Sequence, residues 1–277
     1  MDIGARWGKA GAVNTYTHGH HESVLRSHRW RTVANSAGYL VDHLTGSEHL
    51  LDVGSGPGTL TVDLARHVAA VTALETGAEE LELSRREAAE QAQDNVDFLV
   101  GDVTALTEIA DDTFDVVHAH QVLQHLTDPV AALREMARVT RPGGLVAVRD
   151  VDYATFTWYP LDPVLDRWLE VYHQLARSNG AEPDAGRRLL AWAHEAGLTD
   201  LTPTASSWCF ATPEDRAWWG GMWADRVLQS RFADQAYAEG ASTPEELEAI
   251  SRAWLAWAEH PDGWMTQTHG ELLARVH

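Results

Sequence analysis

The chain has 277 residues, and its 41 acidic against 21 basic side chains give a formal net charge of −20. This charge disfavours a nucleic-acid substrate, because binding to phosphates needs a cationic surface. No apolar run approaches the ~20 residues that cross a bilayer, and the N-terminus lacks the apolar stretch of a secretory signal. With one cysteine, Cys209, no internal disulfide can form. The composition predicts a cytoplasmic protein that acts on small molecules. A homodimer is one possible state.

The first predicted element is a helix over residues 22–44. His28, Arg31 and Asn35 recur at helical spacing, so they would share one face of it. Such a polar stripe either faces solvent or binds a polar partner within the fold.

A glycine-rich loop, GSGPG at residues 54–58, follows the apolar strand predicted at residues 50–53. Its G-x-G-x-G spacing departs from the G-x-G-x-x-G of dinucleotide sites. Pro57 also removes a backbone N–H that a phosphate would use. The loop therefore suits a nucleoside without phosphates, and Glu75, at the end of the next apolar run, is placed to accept hydrogen bonds from both ribose hydroxyls.

Three further segments follow in order at residues 96–103, 112–121 and 133–145. With the glycine loop, they make the chain similar to the class I S-adenosylmethionine-dependent methyltransferases from residue 50 to residue 152. The resemblance implies a Rossmann-like, seven-stranded α/β sheet with helices on both faces and a helical cap. It also implies S-adenosylmethionine as the cofactor, S-adenosylhomocysteine as its product, and a small-molecule methyl acceptor.

The resemblance places the cofactor at the carboxyl ends of the strands. There Asp102 would meet the adenine amino group, and Arg31 would grip the methionine carboxylate with its guanidinium. The residues predicted to bind the cofactor are Arg31, Gly54, Ser55, Gly56, Glu75, Asp102, Val103, His120, Gln121 and His125.

The second half of the chain is predicted to contain helices at 163–179 and 185–196, a strand at 202–210, helices over most of 213–260, and a last strand at 263–273. The corresponding domains are an N-terminal helical lid over the cofactor (1–48), a methyltransferase core (49–212 and 261–277), and a helical substrate cap inserted before the last strand (213–260). Ten of the 12 tryptophans lie at or beyond Trp158. They either form an aromatic cap over the substrate or fill a small helical core.

The catalytic candidates follow from the chemistry of methyl transfer. Displacement at a sulfonium needs alignment and exclusion of water more than it needs a base. His120, at the end of the fourth strand, is the first candidate for a base or a substrate contact, because imidazole titrates near neutrality. Asp150 and Asp152, at the end of the fifth strand, are alternatives, and one of them could instead pair with Arg149.

The acceptor is predicted to be a small, largely apolar natural product. Within the superfamily the chain is similar to methyltransferases of quinone precursors and to those that S-methylate dithiols such as gliotoxin and dithiolopyrrolones. The second likeness rests on residues 18–25, 27–32 and 118–121 and on the tryptophan-rich C-terminal third. A thiol of pKa ~8.5 is already partly ionised at neutral pH. S-methylation of a (di)thiol in secondary metabolism is therefore the leading hypothesis.

Three other functions stay open: O- or C-methylation of a quinol or phenolic metabolite, a nicotinamide-dependent oxidoreductase, and a non-catalytic sensor of the cofactor. No metal is predicted. His18, His20 and His21 are clustered, but no cysteine or carboxylate accompanies them at the spacing of a tetrahedral site.

Overall fold

The computed structural model describes residues 30–277. Across this range the centre is a seven-stranded sheet in the order β3-β2-β1-β4-β5-β7-β6. Six strands are parallel, and β7 runs antiparallel to its neighbours β5 and β6. The strands are β1 (His49–Val53), β2 (Ala70–Glu75), β3 (Val96–Val100), β4 (Phe114–His120), β5 (Thr140–Tyr159), β6 (Asp200–Phe210) and β7 (Trp264–Arg275).

Helices cover both faces of the sheet. The first, α1, combines a π-helical turn (Val33–Ala37) with an α-helical turn (Gly38–Val41), and short 3-10 turns occupy Leu123–His125 and Ala185–Arg188. The other helices are α2 (Thr59–Leu64), α3 (Ala78–Glu90), α4 (Pro129–Val139), α5 (Pro163–Ser178), α6 (Leu189–Ala196), α7 (Pro213–Gln229), α8 (Arg231–Ala238) and α9 (Pro244–Glu259). None of the helices from residue 30 onward is long and apolar enough to cross a membrane.

Four helices begin with the same local signal. An Asp or Thr at the N-cap accepts a hydrogen bond from the first turn, and a proline with its fixed φ occupies the first helical position. The four N-caps are Asp128, Asp162, Thr212 and Thr243. These signals set where α4, α5, α7 and α9 begin.

The predicted α/β sheet is confirmed, including strands at 202–210 and 263–273 and helices between them. Of the helix predicted over 22–44, the structure confirms Val33–Val41, whereas residues 30–32 are not helical and α1 begins at Val33. Asn35 explains the late start: its Oδ1 accepts from the Thr32 N–H at 2.9 Å, and its Nδ2 donates to the Trp30 carbonyl at 3.0 Å. These bonds satisfy backbone groups outside the helix. Residues 22–29, with His28, lie outside the described part.

The two faces of the sheet differ in character. One buries an aliphatic core against α4 and α6 that includes Leu51, Val117, Val146 and Leu272. The other is covered near β1 by α1 and α2 but also buries charged and polar groups, among them Asp52, His118 and Arg149. Buried polar groups need partners, so this face carries the chemistry of the molecule.

A third core is aromatic and lies beyond the end of the parallel sheet, between α5, α7 and α9. Trp168, Trp223 and Trp254 are completely buried there. The Trp168 ring meets the Trp223 ring at 4.6 Å and the Trp254 ring at 4.9 Å, both edge to face. This geometry is favourable for aromatic pairs, and it shows that these tryptophans fill a helical core.

Candidate active site

The loop after β1 is built on glycines that no other residue could replace without strain. Gly54 and Gly58 have φ angles of +72° and +91°. A Cβ on Gly54 would lie 2.5 Å from Cγ2 of Val122, and one on Gly58 would lie 2.6 Å from the backbone of Ser84. The loop therefore presents bare backbone to the space in front of it.

That space is a cavity of about 440 Å³ at the carboxyl ends of the parallel strands. Its volume falls in the range of cofactor and small-ligand sites. All ten residues predicted to bind the cofactor line it: Arg31, Gly54, Ser55, Gly56, Glu75, Asp102, Val103, His120, Gln121 and His125.

Three groups in the cavity are suited to a nucleoside. The Oε1 atom of Glu75 accepts from the Gly56 N–H at 2.7 Å, and burial raises the pKa of this carboxyl. Oδ1 of Asp102 accepts from the backbone and side chain of Thr104, both at 2.8 Å, which fixes the carboxylate. The hydroxyl of Ser55 is buried without a hydrogen-bond partner among the described residues. These acceptors and the orphaned hydroxyl fit S-adenosylmethionine, whose ribose and amino acid parts bring the missing polar partners.

Beneath the loop, a buried pair fixes two strands to each other. Nδ1 of His118 lies 2.8 Å from Oδ1 of Asp52, and the other oxygen of Asp52 accepts from the Thr61 hydroxyl at 2.6 Å. His118 is therefore held by Asp52, whereas His120, two residues further along the same face, reaches the cavity.

A hydrogen-bonded chain runs from two residues of the cavity wall, Arg31 and Gln121, to the buried His269. Arg31 donates to Oε1 of Gln121 at 2.6 Å, and Nε2 of Gln121 lies 2.8 Å from Nε2 of His269. Gln121 has a φ of +54°, a rare angle for a residue other than glycine. These bonds link the segment before α1, the end of β4 and strand β7.

His120 lies between cationic groups. Burial lowers the pKa of His120 well below its ordinary value, and the charges of Arg31 and Arg149 lower it further. The His120 Nδ1 atom is 3.5 Å from a guanidinium nitrogen of Arg149. A histidine in this position is neutral at pH 7 and is a weak base.

The acidic partner of Arg149 is Glu271, at 3.2 Å, so the suggestion that Arg149 pairs with Asp150 or Asp152 is wrong. Arg149 also donates to the Ser206 hydroxyl at 3.0 Å. The reason is strand alternation, since Arg149 opposes Glu271 in the β5–β7 register and shares its face.

Asp150 and Asp152 are not among the residues that line the cavity. Asp150 accepts from the Gln124 N–H at 3.2 Å, and burial raises its pKa to about 7. Asp152 accepts hydrogen bonds from Nε and Nη2 of Arg187, at 2.5 and 2.7 Å. The structure brings His120 to the cavity and leaves both aspartates in other contacts.

The sequence suggested that His125 begins a helix. In the structure it ends the 3-10 turn Leu123–His125. Its Nε2 lies 3.0 Å from the side-chain nitrogen of Gln124. Burial, followed by the charge of Arg31, lowers the pKa of His125 to about 3. It is a neutral group on the cavity wall.

Sequence reasoning missed His269, Glu271 and Ser206, which complete the polar face beside His120. The alternation Gln267, His269, Glu271 in β7 is the signal that could have found them, since it predicts polar side chains on one face. Only the strand pairing shows that this face meets β4 and β5.

Metal ligation finds no support in residues 30–277, where no three histidine, cysteine or acidic side chains are grouped to hold an ion. The clustered His18, His20 and His21 lie outside this range.

Comparison with known proteins agrees with the geometry. A family model described as a methyltransferase domain matches residues 44–198, more than half of the chain. An uncharacterized methyltransferase of Schizosaccharomyces pombe is 33% identical over 268 residues, which cover 93% of this chain and 95% of the relative. A demethylmenaquinone methyltransferase of Renibacterium salmoninarum is 31% identical over 195 residues, covering 65% of this chain and 77% of that protein.

A solved structure shares the fold. The crystal structure of the YcgJ protein from Bacillus subtilis superposes with a TM-score of 0.55 at 20% identity, covering 87% of this chain and 97% of that one. The family match decides against a nicotinamide-dependent oxidoreductase and against a sensor without activity. The chain belongs to the class I S-adenosylmethionine-dependent methyltransferases.

Proposed function

We propose that the protein transfers the methyl group of S-adenosylmethionine to a small, largely apolar natural product, with a thiol or dithiol sulfur as the acceptor atom. The observation that carries the choice of sulfur is the environment of His120. A neutral histidine beside two arginines is a weak base, and neither Asp150 nor Asp152 lines the cavity. A thiol needs the least help to ionise among the common acceptors, since its pKa of ~8.5 lies below that of a phenol.

In this proposal the glycine loop, Glu75 and Asp102 bind the nucleoside, and Arg31 and Gln121 lie beside its amino acid part. His120 contacts the acceptor. The sequence left two roles open for His120, a base or a substrate contact. Its low basicity supports the substrate contact over proton removal. Asp150 and Asp152 remain the alternative bases.

O- or C-methylation of a quinol or phenol is the second candidate. It is supported by the similarity to a demethylmenaquinone methyltransferase, which covers most of both chains. A phenol has a pKa of ~10 and asks more of a base than a thiol does, so the surroundings of His120 favour the thiol.

A screen of dithiols, catechols and quinols with S-adenosylmethionine, read by mass gain, tests the choice. We expect methylated thiols as the main products. The matched control is Glu75→Ala, which should lose turnover with every acceptor through weaker donor binding. Methylation confined to catechols or quinols would contradict the assignment of sulfur.

We further propose that residues 1–48 form a lid and 213–260 a cap over the acceptor. Two contacts support this arrangement: the Trp30 ring meets the Trp208 ring at 4.9 Å and the Trp218 ring at 5.3 Å. The start of α1 is thereby joined to α7. Arg231, at the start of α8, also lines the cavity.

Hydrogen exchange measures closure of these segments. With S-adenosylhomocysteine and an apolar thiol bound, backbone amides in 30–44 and 213–260 should exchange more slowly than in the free protein, since closure excludes water from the reaction. Protection limited to residues before Asp152 would place the acceptor elsewhere and leave the tryptophans a purely structural role.

A further inference from the structure

His269 of β7 is completely buried and does not line the cavity, yet it is hydrogen-bonded to a residue that does. Its Nε2 atom lies 2.8 Å from Nε2 of Gln121, and Oε1 of Gln121 accepts from the Arg31 guanidinium at 2.6 Å. Arg31 and Gln121 both line the cavity. A side chain outside the cavity is thereby joined, through one amide, to a cation on the cavity wall.

The donor and acceptor roles in this chain follow from Arg31. A guanidinium can only donate, so the Gln121 atom that faces it must be the carbonyl oxygen. The NH₂ group of Gln121 then faces His269, and Nε2 of His269 must accept. His269 therefore carries its proton on Nδ1 alone.

The surroundings of His269 keep its Nε2 atom able to accept. Burial lowers the pKa of His269 well below its ordinary value, the charges of Arg149 and Arg31 lower it further, and a backbone contact with Gln267 opposes them only in part. A proton on Nε2 would instead favour the opposite orientation of the Gln121 amide, with its NH₂ group toward Arg31. The neutral ring thus selects the amide orientation that binds Arg31.

The backbone of Gln121 is also fixed. Its φ of +54° is in the left-handed region, and its N–H donates to the Arg149 carbonyl at 2.7 Å. A residue other than glycine keeps such a conformation only where its surroundings hold it. The amide that joins Arg31 to His269 therefore extends from a fixed point at the end of β4.

Trp208 of β6 makes a second connection, to the backbone around Arg31. Its ring centre lies 4.3 Å from that of His269, and its indole N–H donates to the Asn35 carbonyl at 2.5 Å. The Asn35 side chain in turn bonds the backbone of both residues that flank Arg31. Strands β6 and β7 thus fix the guanidinium of Arg31 and support the backbone that carries it.

We propose that His269 is a positioning residue for the methyl donor, which acts through Gln121 to hold the Arg31 guanidinium where it binds the donor's carboxylate. The inference rests on the place given to Arg31 in the proposed function, and it is independent of the acceptor atom. A guanidinium that is already oriented loses less rotational freedom when it binds a carboxylate, and so binds it more tightly. Strand β7 thereby takes part in donor binding.

Two ligands that differ only by the carboxylate test the proposal: S-adenosylhomocysteine and its decarboxylated analogue, which keeps the amine. Calorimetry gives the ratio of their affinities for the full chain and for each variant. Arg31→Gln should lower this ratio about tenfold or more by weakening S-adenosylhomocysteine alone. His269→Phe keeps a ring but no acceptor and should lower the ratio about threefold to tenfold.

Two further variants complete the series. His269→Gln restores an acceptor near the place of Nε2 and should recover most of the ratio. The matched control is His194→Phe on α6, an exposed histidine that should leave the ratio unchanged.

The outcomes separate this inference from the proposed function. A merely structural role would weaken both ligands equally, so equal losses in His269→Phe would overturn the inference. An unchanged ratio in Arg31→Gln would place the carboxylate at another cation, such as Arg231 on the cavity wall, and would overturn the donor arrangement with it. If the ratios fall as expected but no thiol is methylated, the choice of sulfur is wrong and the inference stands.

Nitrogen NMR of the wild-type chain, labelled with ¹⁵N-histidine and bound to S-adenosylhomocysteine, tests the same inference without relying on the fold of a variant. His269 should carry its proton on Nδ1 and be neutral at pH 7. The contact of its ring with Trp208 assigns its signals. A proton on Nε2 of His269, or a charged ring, would overturn the proposal.

Discussion

The two halves of the sheet at the cavity end are built differently. On the β1–β3 side, Glu75 ends its strand, and the loop at 54–58 and Asp102 each follow theirs within two residues, so each group is positioned locally in sequence. On the β4–β7 side, the Gln121–His269 bond joins residues 148 positions apart, and Arg149 meets Glu271 across 122. A cofactor that is shared by a whole family suits a local motif, whereas contacts assembled from distant strands can vary without disturbing that motif.

The largest expected effect tests how the second half is held together. Gly270, between His269 and Glu271 on β7, lies against the turn Ala185–Arg188, and a Cβ there would come 2.0 Å from the Gly186 carbonyl oxygen. Gly270→Ala should lower the free energy of unfolding by about 3 kcal/mol, because backbone cannot move aside as a side-chain end can. Urea denaturation measures it.

Gly221→Ala is the matched control, since Gly221 lies in α7 with nothing within 4 Å of the added Cβ. It should leave stability unchanged or raise it by up to about 1 kcal/mol through helix propensity. Equal stability of the two variants would show that the β7 contact with the turn is not tight.

The next effect tests the local half. Glu75→Ala removes the acceptor proposed for the ribose hydroxyls and the partner of the Gly56 N–H. Affinity for S-adenosylhomocysteine should fall by about 1.5–3 kcal/mol, the value of hydrogen bonds to a charged group. Calorimetry on the folded variant measures it, and Asp102→Ala should weaken binding likewise.

Glu82→Ala is the control for this comparison, because Glu82 is a half-exposed residue of α3 that only pairs with Arg85 and Arg86. Unchanged affinity in Glu75→Ala would disprove the ribose assignment and leave this carboxylate as a structural acceptor for the loop.

The sequence predicted the local half almost completely. The glycine spacing, the acid at the end of β2 and the acid after β3 all lie within a few residues of the strand ends, where parallel strands place ligands. All the cofactor residues predicted from those patterns line one cavity. Strand β7 was expected from the resemblance to the methyltransferase fold, and helices were predicted before it.

The other half was only partly predictable, because its partners are chosen by strand register. Nothing near Arg149 in sequence shows that Glu271 opposes it, and Asp150 and Asp152 were nearer candidates on the same strand. The start of α1 was also missed, because the Thr32–Asn35 capping box ends the helix that periodicity extends toward the N-terminus. Strand register chose the partner of Arg149 over its neighbours in sequence, and local capping set the start of α1 against the helical periodicity.

A third prediction concerns Asp150, which supports the turn between the two halves. Burial raises its pKa to about 7, well above the usual range of an aspartate. The folded state therefore binds a proton more tightly than the unfolded state does. The protonated carboxyl therefore contributes to stability. This contribution is complete below about pH 4 and is lost as pH rises toward 7.

Asp150→Asn removes this ionisation while keeping an oxygen to accept from the Gln124 N–H. At pH 8 the variant should be more stable than the wild type by about 1–2 kcal/mol, after allowing for an unpaired amide N–H₂ in the place of Oδ2. At pH 4 the gain should vanish. A gain that is equal at both pH values would show that the carboxyl ionises normally in the fold.

The smallest expected effect separates Asp152 from catalysis. Both oxygens of Asp152 are bound by Arg187, whose side chain is half exposed, so the pair contributes at most about 1 kcal/mol. Asp152→Asn keeps one acceptor oxygen and should change turnover by less than about twofold, whereas removing a general base costs about 10²-fold or more. Single-turnover rates measured across pH, with donor and acceptor affinities determined separately, distinguish the two.

Arg187→Gln is the matched variant, and its similar small effect would identify the pair as a structural contact between β5 and the turn Ala185–Arg188. A large loss in Asp152→Asn alone, recovered as pH rises, would instead return Asp152 to the role of base and place the proton transfer on the β5 side of the edge.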